Sequence, residues 1–258
     1  MKRTVLPILV LCLTLLAGCG TSAGSVVTPT PTPPEDPTDT SAVLVDQAPW
    51  FETFRVVAGA ESVELVLAAN DGTASQVYTL NTEGLPLDAP VKNGELINVY
   101  YDMVLETFPA QFADVTAVEH TETERDDRCG LYLQVLEDLW EVDPGLNTDL
   151  EELGVDLSGL TDLSDSEKAA ITWAFGWSHG LTPITGTWEE LVEQGYIDRE
   201  ELIWNGHGCL FSLSGSADDT FQAEKWASGL GAYFFNDCTA KMGQDGSWTY
   251  TVGSEAIS

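Results

Sequence analysis

The stretch Leu131-Tyr132-Leu133-Gln134-Val135-Leu136-Glu137-Asp138-Leu139-Trp140-Glu141-Val142 separates two differently patterned parts of the chain. Its apolar side chains recur every three or four residues, which predicts an amphipathic helix, and Asp143-Pro144-Gly145 ends that helix. Strand-like segments precede it, whereas helices and then further strands follow it. We therefore predict two domains, over residues 43–122 and 129–258, joined by a polar segment.

The first predicted domain is all-β. Near-alternating β-branched and aromatic residues mark its strands, and Asn70-Asp71-Gly72 and Asn93-Gly94 have the composition of hairpin turns. A run of about five short strands predicts a small closed barrel. The predicted strands are residues 52–57, 62–68, 76–80, 96–101 and 112–118.

The second predicted domain is α+β. Ser164 with Glu167, and Thr187 with Glu190, have the spacing of capping boxes that open a second and a third helix. After Arg199 the apolar period changes to two, which indicates strands. We therefore predict three helices followed by an antiparallel sheet of about four strands. These strands are residues 209–213, 220–226, 230–238 and 248–252.

Two resemblances accompany these predictions. The segment from Val99 to Gln111, which contains Glu106-Thr107-Phe108-Pro109-Ala110-Gln111, resembles a recurring segment of small OB-like barrel domains in Gram-positive lipoproteins. Met103 stands where those domains have a glycine. The second domain resembles an uncharacterised domain of Gram-positive surface proteins, through motifs such as Gly186-Thr187-Trp188-Glu189-Glu190-Leu191. The first resemblance implies an OB-like barrel, and neither resemblance implies an activity.

The N-terminus has the layout of a secretory signal. Basic Lys2 and Arg3 precede an apolar run, and Leu16-Ala17-Gly18-Cys19 resembles the lipobox of bacterial lipoproteins. That resemblance implies a signal peptide over residues 1–18, acylation of Cys19, and anchoring at the extracytoplasmic face of the cell membrane. The alternative is an ordinary secretory signal with a chance cysteine. Residues 19–42, rich in proline and threonine, are predicted to be a disordered tether.

Charge restricts the partners. Loss of Lys2 and Arg3 with the signal leaves 8 basic and 42 acidic residues, a net charge of −34. Nucleic acid requires a basic face, so we expect no nucleic-acid binding. Acidity of this kind favours solubility and repulsion from a polyanionic surface. The more specific alternative is that the acidic surface binds cations or cationic peptides.

Three cysteines remain after Cys12 and Cys19 are set aside. Cys209 and Cys238 fall in strand-like segments of the same domain and are the predicted disulfide pair. The alternative is that both of them and Cys129 are buried thiols.

No common catalytic signature is present in the sequence, and we predict no metal site and no cofactor. One constellation remains, because His179, Cys209 and Asp237 would resemble a thiol hydrolase if the sheet folded back on the second helix. The alternative role for His179 is electrostatic, since a histidine at a helix C-terminus is favoured by the helix dipole.

Tryptophan is concentrated in the second predicted domain, which holds seven of eight. We predict a ligand pocket lined by Trp177, His179, Trp204 and Trp226, although most of these indoles are also candidates for the core. The sequence therefore predicts a non-catalytic surface module for a peptide, a glycan or a protein. The alternatives are a cell-envelope hydrolase with a Cys/His site and a purely structural or inhibitory lipoprotein.

Overall fold

Strands dominate this protein. Its computed structural model describes residues 50–70 and 76–258 and contains 43% strand and 19% helix, arranged as two large mixed sheets and three helices. These described residues belong to one compact unit. The predicted signal peptide, Cys19, the predicted tether and the turn at Asp71-Gly72 lie outside the described residues. Within those residues, no helix is long and apolar enough to cross a bilayer.

The first sheet has seven strands in the order β5-β6-β3-β2-β1-β4-β7. Strands β3 and β6 run parallel, and the other neighbours are antiparallel. Its two end strands do not pair with each other, so this part of the described chain is an open sheet. The strands are β1 (Phe51–Ala58), β2 (Glu64–Ala69), β3 (Val77–Asn81), β4 (Leu96–Tyr100), β5 (Met103–Leu105), β6 (Ala110–Ala113) and β7 (Ala117–His120).

Three helices follow, and their predicted existence is confirmed. They are α1 (Arg128–Glu141), α2 (Asp165–Ser178) and α3 (Trp188–Glu193). Both predicted capping boxes are present, with reciprocal side-chain and backbone hydrogen bonds between Ser164 and Glu167 and between Thr187 and Glu190. These bonds satisfy amide groups that a helix start otherwise leaves unpaired.

The second sheet has nine strands. Six follow the order β10-β11-β13-β12-β8-β9, and β14 adds to β13 and also pairs with β15 and β16. Strand β8 is parallel to both of its neighbours. The strands are β8 (Glu152–Leu160), β9 (Pro183–Thr185), β10 (Ile197–Asp198), β11 (Ile203–Trp204), β12 (Gly208–Gly215), β13 (Phe221–Ser228), β14 (Gly231–Met242), β15 (Trp248–Thr251) and β16 (Ser254–Ile257).

A single apolar core joins the two sheets through the long helices. Val57, Val66 and Val77 of the first sheet belong to the same buried cluster as side chains of α1, α2 and the second sheet. Helix α2 contacts β1, β2 and β3 on one side and β8 and β9 on the other. Arg55 of β1 also donates to Glu167 of α2 at 3.1 Å. Helices α1 and α2 are therefore a layer shared by both sheets.

The predicted fold class, an OB-like barrel followed by an α+β domain with about four strands, was wrong. The first sheet is open, and its strand β2 is buried on both faces: Leu67 packs into a separate cluster, while its neighbours Val66 and Ala68 pack into the shared core. A strand buried on both faces loses the in-out alternation that a one-sided sheet shows. In the second half, β8 was missed altogether.

Strand β8 was not predicted from the sequence, because its glycines and acidic residues interrupt the apolar pattern that indicates a strand. Glycine is depleted in strands, yet a Cβ on Gly154 would lie 2.8 Å from the Trp204 ring, and one on Gly159 would lie 2.6 Å from Ser214 Cβ. Packing against these neighbours therefore selects glycine at both positions. Strands β10 and β11 have two residues each, which is too short to show any period.

Candidate functional site

A groove of about 470 Å³ lies between α2, the β8–β9 edge of the second sheet and the start of α3. It is open to solvent, and its lining is mostly apolar. Cavities of this size are in the range that small ligands and short peptides occupy, roughly 300–1,000 Å³. The lining residues are Phe108, Asp156, Leu157, Ser158, Asp165, Lys168, Ala169, Thr172, Trp173, Pro183, Thr185, Gly186, Thr187 and Glu190.

Helix α2 supplies one wall. Its lining side chains are spaced three and four residues apart, so they lie on one face of the helix. Trp173 is the largest of them, and its ring stacks on Trp177 with centroids 5.2 Å apart and planes 16° apart. Trp177 is itself 65% exposed. The groove therefore borders an aromatic pair that is only partly covered by the protein.

Strand β8 supplies the opposite wall. Strand β9 pairs with β8 only over Leu153–Val155, and the lining residues Asp156, Leu157 and Ser158 come directly after that pairing. The Ser158 amide donates to Asp156 Oδ1 at 2.9 Å, and Lys168 Nζ donates to the Ser158 carbonyl at 3.4 Å. The backbone of Ser158 is thus hydrogen-bonded to side chains that line the groove.

Two further segments complete the groove. Phe108 belongs to the connection between β5 and β6, is 70% exposed, and forms a cis peptide bond with Pro109. On the other side, Thr187 and Glu190 belong to the α3 capping box. The Thr187 backbone amide lowers the pKa of the Glu190 carboxyl, which is therefore ionised at neutral pH.

The chemistry of the groove is that of a binding site. Apolar Phe108, Leu157 and Trp173 provide contact area, and the lining contains neither histidine nor cysteine. Three carboxylates (Asp156, Asp165 and Glu190) face a single cation, Lys168. No group of three or more metal-ligating side chains converges anywhere in the described ranges 50–70 and 76–258.

None of the four predicted pocket residues lines this groove. Trp177 is adjacent to the groove, because its ring stacks on Trp173, which lines the groove. Trp204 and Trp226 are only 2% and 7% exposed and pack in a separate apolar cluster with α3. The Trp204 indole donates to Glu152 Oε2 at 2.7 Å, and the Trp226 ring meets the Trp188 ring at 4.3 Å. The structure thus places these two indoles in the core that α3 covers.

His179 is held at the end of α2 by other partners. Its Nε2 lies 2.9 Å from Glu137 Oε2, and its ring stacks on Trp140 with centroids 3.6 Å apart. Neither Cys209 nor Asp237 is among its hydrogen-bond and ring contacts. Asp237 is exposed and has a positive φ of 52° within β14. The structure therefore does not bring these three residues together as a contact set.

The thiols are buried. Cys129, Cys209 and Cys238 are free cysteines, as in the alternative to the predicted Cys209–Cys238 disulfide. Burial raises the pKa of the Cys209 thiol to about 12 and that of Cys238 to about 11. Both are therefore protonated at neutral pH and lack the thiolate that nucleophilic attack requires.

Sequence reasoning missed the residues that line the groove. Trp173 and Trp177 are four residues apart, and a pair at that helical spacing is more often core than surface. The sequence pattern did not indicate the unpaired part of β8, because β8 itself was not predicted. A comparison of this chain with protein-family models, curated proteins and solved structures finds no match.

Proposed function

We propose that this protein is a non-catalytic binding module whose ligand occupies the groove between α2 and the β8–β9 edge. The observation that carries the proposal is an apolar, solvent-open cavity of about 470 Å³ bordered by the stacked Trp173–Trp177 pair. Aromatic faces provide large apolar contact area at low entropy cost, which makes them suited to recognising a peptide, a glycan or a protein segment.

A binding role fits the groove better than hydrolysis. Acid–base or nucleophilic catalysis needs a nucleophile and a base within hydrogen-bond reach of one another. The ionisable lining residues are three carboxylates and one lysine. Of these, Glu190 is bonded to Thr187 and Asp156 to Ser158, so both serve local structure.

We also propose that the module is lipid-anchored through Cys19 at the extracytoplasmic face of the cell membrane. The lipobox-like Leu16-Ala17-Gly18-Cys19 after a basic and apolar N-terminus supports this. The substitution Cys19→Ala should abolish incorporation of a labelled fatty acid in bacterial cells. Label incorporated by this variant at the wild-type level would contradict the anchor.

A titration of the full chain with the neutral fluorescent probe N-phenylnaphthylamine tests the groove. Burying an apolar side chain is worth about 1.5–3 kcal/mol, so Trp173→Ala should weaken probe binding about tenfold or more. The matched control is Trp50→Ala, because Trp50 is 67% exposed and does not line the groove. Equal affinities for the probe in wild type and in folded Trp173→Ala would contradict the proposal.

A further inference from the structure

We propose that the groove accepts an extended cationic peptide that pairs as an added strand with the open edge of β8. This inference rests on the binding function proposed above and names its ligand. Three independent features carry it: the unpaired stretch of β8, the apolar cavity beside that stretch, and the charge of the groove.

The edge of β8 is unequally paired. On one side β12 follows β8 from Gly208 opposite Glu152 to Gly215 opposite Leu160, with a bulge in β8 between Asp156 and Gly159. On the other side β9 ends at Thr185, opposite Val155. Beyond that point no strand of the described chain pairs with this side of β8. The open stretch, residues 156–160, is about 16 Å long at roughly 3.3 Å per residue.

The groove occupies the place that a longer β9 would fill. Strand β9 is followed by Gly186, whose amide still donates to the Val155 carbonyl of β8 at 3.4 Å. The chain then turns away from β8 into α3. Lining residues of α2 and α3 stand on the two sides of the space that remains. A strand edge bordered by a cavity is the geometry of β-strand addition, in which the backbone gives affinity and the cavity gives specificity.

Within the open stretch, which β12 pairs on its other side, the backbone of Ser158 is hydrogen-bonded to two side chains. Ser158 is exposed, and its amide and carbonyl are bonded to the Asp156 carboxylate and, at 3.4 Å, to the Lys168 ammonium. Unpaired strand edges attract other chains, and proteins protect them with charged side chains of this kind. A peptide strand can replace both partners with backbone hydrogen bonds.

The charge of the groove selects a cationic occupant. Asp165 and Asp156 stand on its two walls, Glu190 lies at its α3 end, and Lys168 is the one cation of the lining. The whole chain has a formal net charge of −32, which attracts cationic peptides and repels acidic ones. Because successive side chains of a strand point to opposite faces, a sequence that alternates basic and apolar residues presents its apolar face toward Trp173.

Fluorescence anisotropy with three labelled peptides and the full chain tests the proposal. The probes are Lys-Val-Lys-Phe-Lys-Val, the acidic Glu-Val-Glu-Phe-Glu-Val, and a form of the cationic peptide N-methylated at alternate residues. N-methylation removes the amide donors that strand pairing uses and leaves the charge unchanged. We expect the cationic peptide to bind at least about tenfold more tightly than either of the others, because pairing and charge both contribute.

A matched pair of charge reversals localises the binding. Asp165→Lys changes the groove, whereas Asp219→Lys makes the same change at an exposed residue that does not line it. We expect about a threefold or larger loss of affinity for the cationic peptide in the first variant and no change in the second. Circular dichroism and thermal melting establish that both variants are folded.

The outcomes separate this inference from the binding function. Equal binding of the N-methylated and unmodified peptides, tighter binding of the acidic peptide, or equal effects of the two charge reversals would overturn strand addition. If Trp173-dependent binding of N-phenylnaphthylamine persists in that case, the groove remains a ligand site for another chemistry. Loss of both results would overturn both proposals.

Discussion

Two groups of tryptophan side chains in this protein have the same chemistry and different surroundings. Trp204 and Trp226 pack under α3 on the second sheet and are almost completely buried. Trp173 and Trp177 stack on α2, and Trp177 is 65% exposed. Both groups lie in the half of the chain where tryptophan is concentrated, so composition alone does not distinguish them.

The difference lies in what the rest of the chain provides for each indole. Trp204 has a carboxylate partner for its N–H and two glycines, Gly154 and Gly208, that leave room for its ring. A buried indole with its polar end satisfied and its space provided contributes to stability. The Trp173–Trp177 pair borders a cavity instead, which leaves apolar surface for a ligand. Substitutions that act on stability in one group should therefore act on binding in the other.

The largest expected effect is on the buried group. Trp204→Ala should lower the free energy of unfolding by about 3–5 kcal/mol, because it leaves a cavity and removes the partner of the Glu152 carboxylate. Trp177→Ala, the matched exposed substitution, should change it by about 0.5 kcal/mol or less. Urea unfolding followed by far-ultraviolet circular dichroism measures both. Similar losses in the two variants would mean that the two groups do not differ as described.

A smaller loss is expected from the glycine that accommodates Trp204. A Cβ on Gly208 would lie 1.9 Å from Trp204 Nε1, so Gly208→Ala must displace the indole and should cost about 1–3 kcal/mol. Gly145→Ala is the control, since the nearest atom to its Cβ is at an ordinary 3.5 Å. Thermal melting compares them, and an unchanged melting temperature in Gly208→Ala would show that this packing is looser than the structure indicates.

The smallest expected effect concerns Glu224, a charged residue close to the buried Trp226. Glu224 lies two residues before Trp226 on β13 and is half-buried, and burial raises the pKa of its carboxyl above 4.5. The folded state therefore disfavours the ionised form, so this group lowers stability as pH rises from 4.5 through its folded pKa. Glu224→Gln should raise stability by about 0.5 kcal/mol at neutral pH and by nothing below pH 4.5. A gain that is equal at both pH values would contradict this account.

The sequence predicted local elements better than their assembly. Capping boxes at Ser164 and Thr187 are local hydrogen-bond patterns, so two helix starts followed from spacing alone. The joining of both sheets through α2 depends on contacts between distant residues, such as Arg55 with Glu167. No short-range pattern contains that information, and the predicted fold class of a barrel followed by a four-stranded α+β domain failed for this reason.

The candidate site was harder to predict than the fold. Tryptophan density indicated the correct half of the chain, but Trp204 and Trp226 are enclosed by packing that only the tertiary structure defines. The groove depends on where β9 stops relative to β8, which is a property of strand pairing between residues about 30 positions apart. A strand containing Gly154 and Gly159 gives no signal of its own that such an edge exists.

Hydrogen–deuterium exchange of the full chain, with and without the Lys-Val-Lys-Phe-Lys-Val peptide, tests the central claim most directly. The internal comparison is β5, the edge strand of the other sheet, which covers Met103–Leu105. We predict that the peptide slows exchange of the backbone amides in residues 156–160 and leaves those of β5 unchanged. Unchanged exchange in residues 156–160 at a peptide concentration that saturates binding would contradict the account.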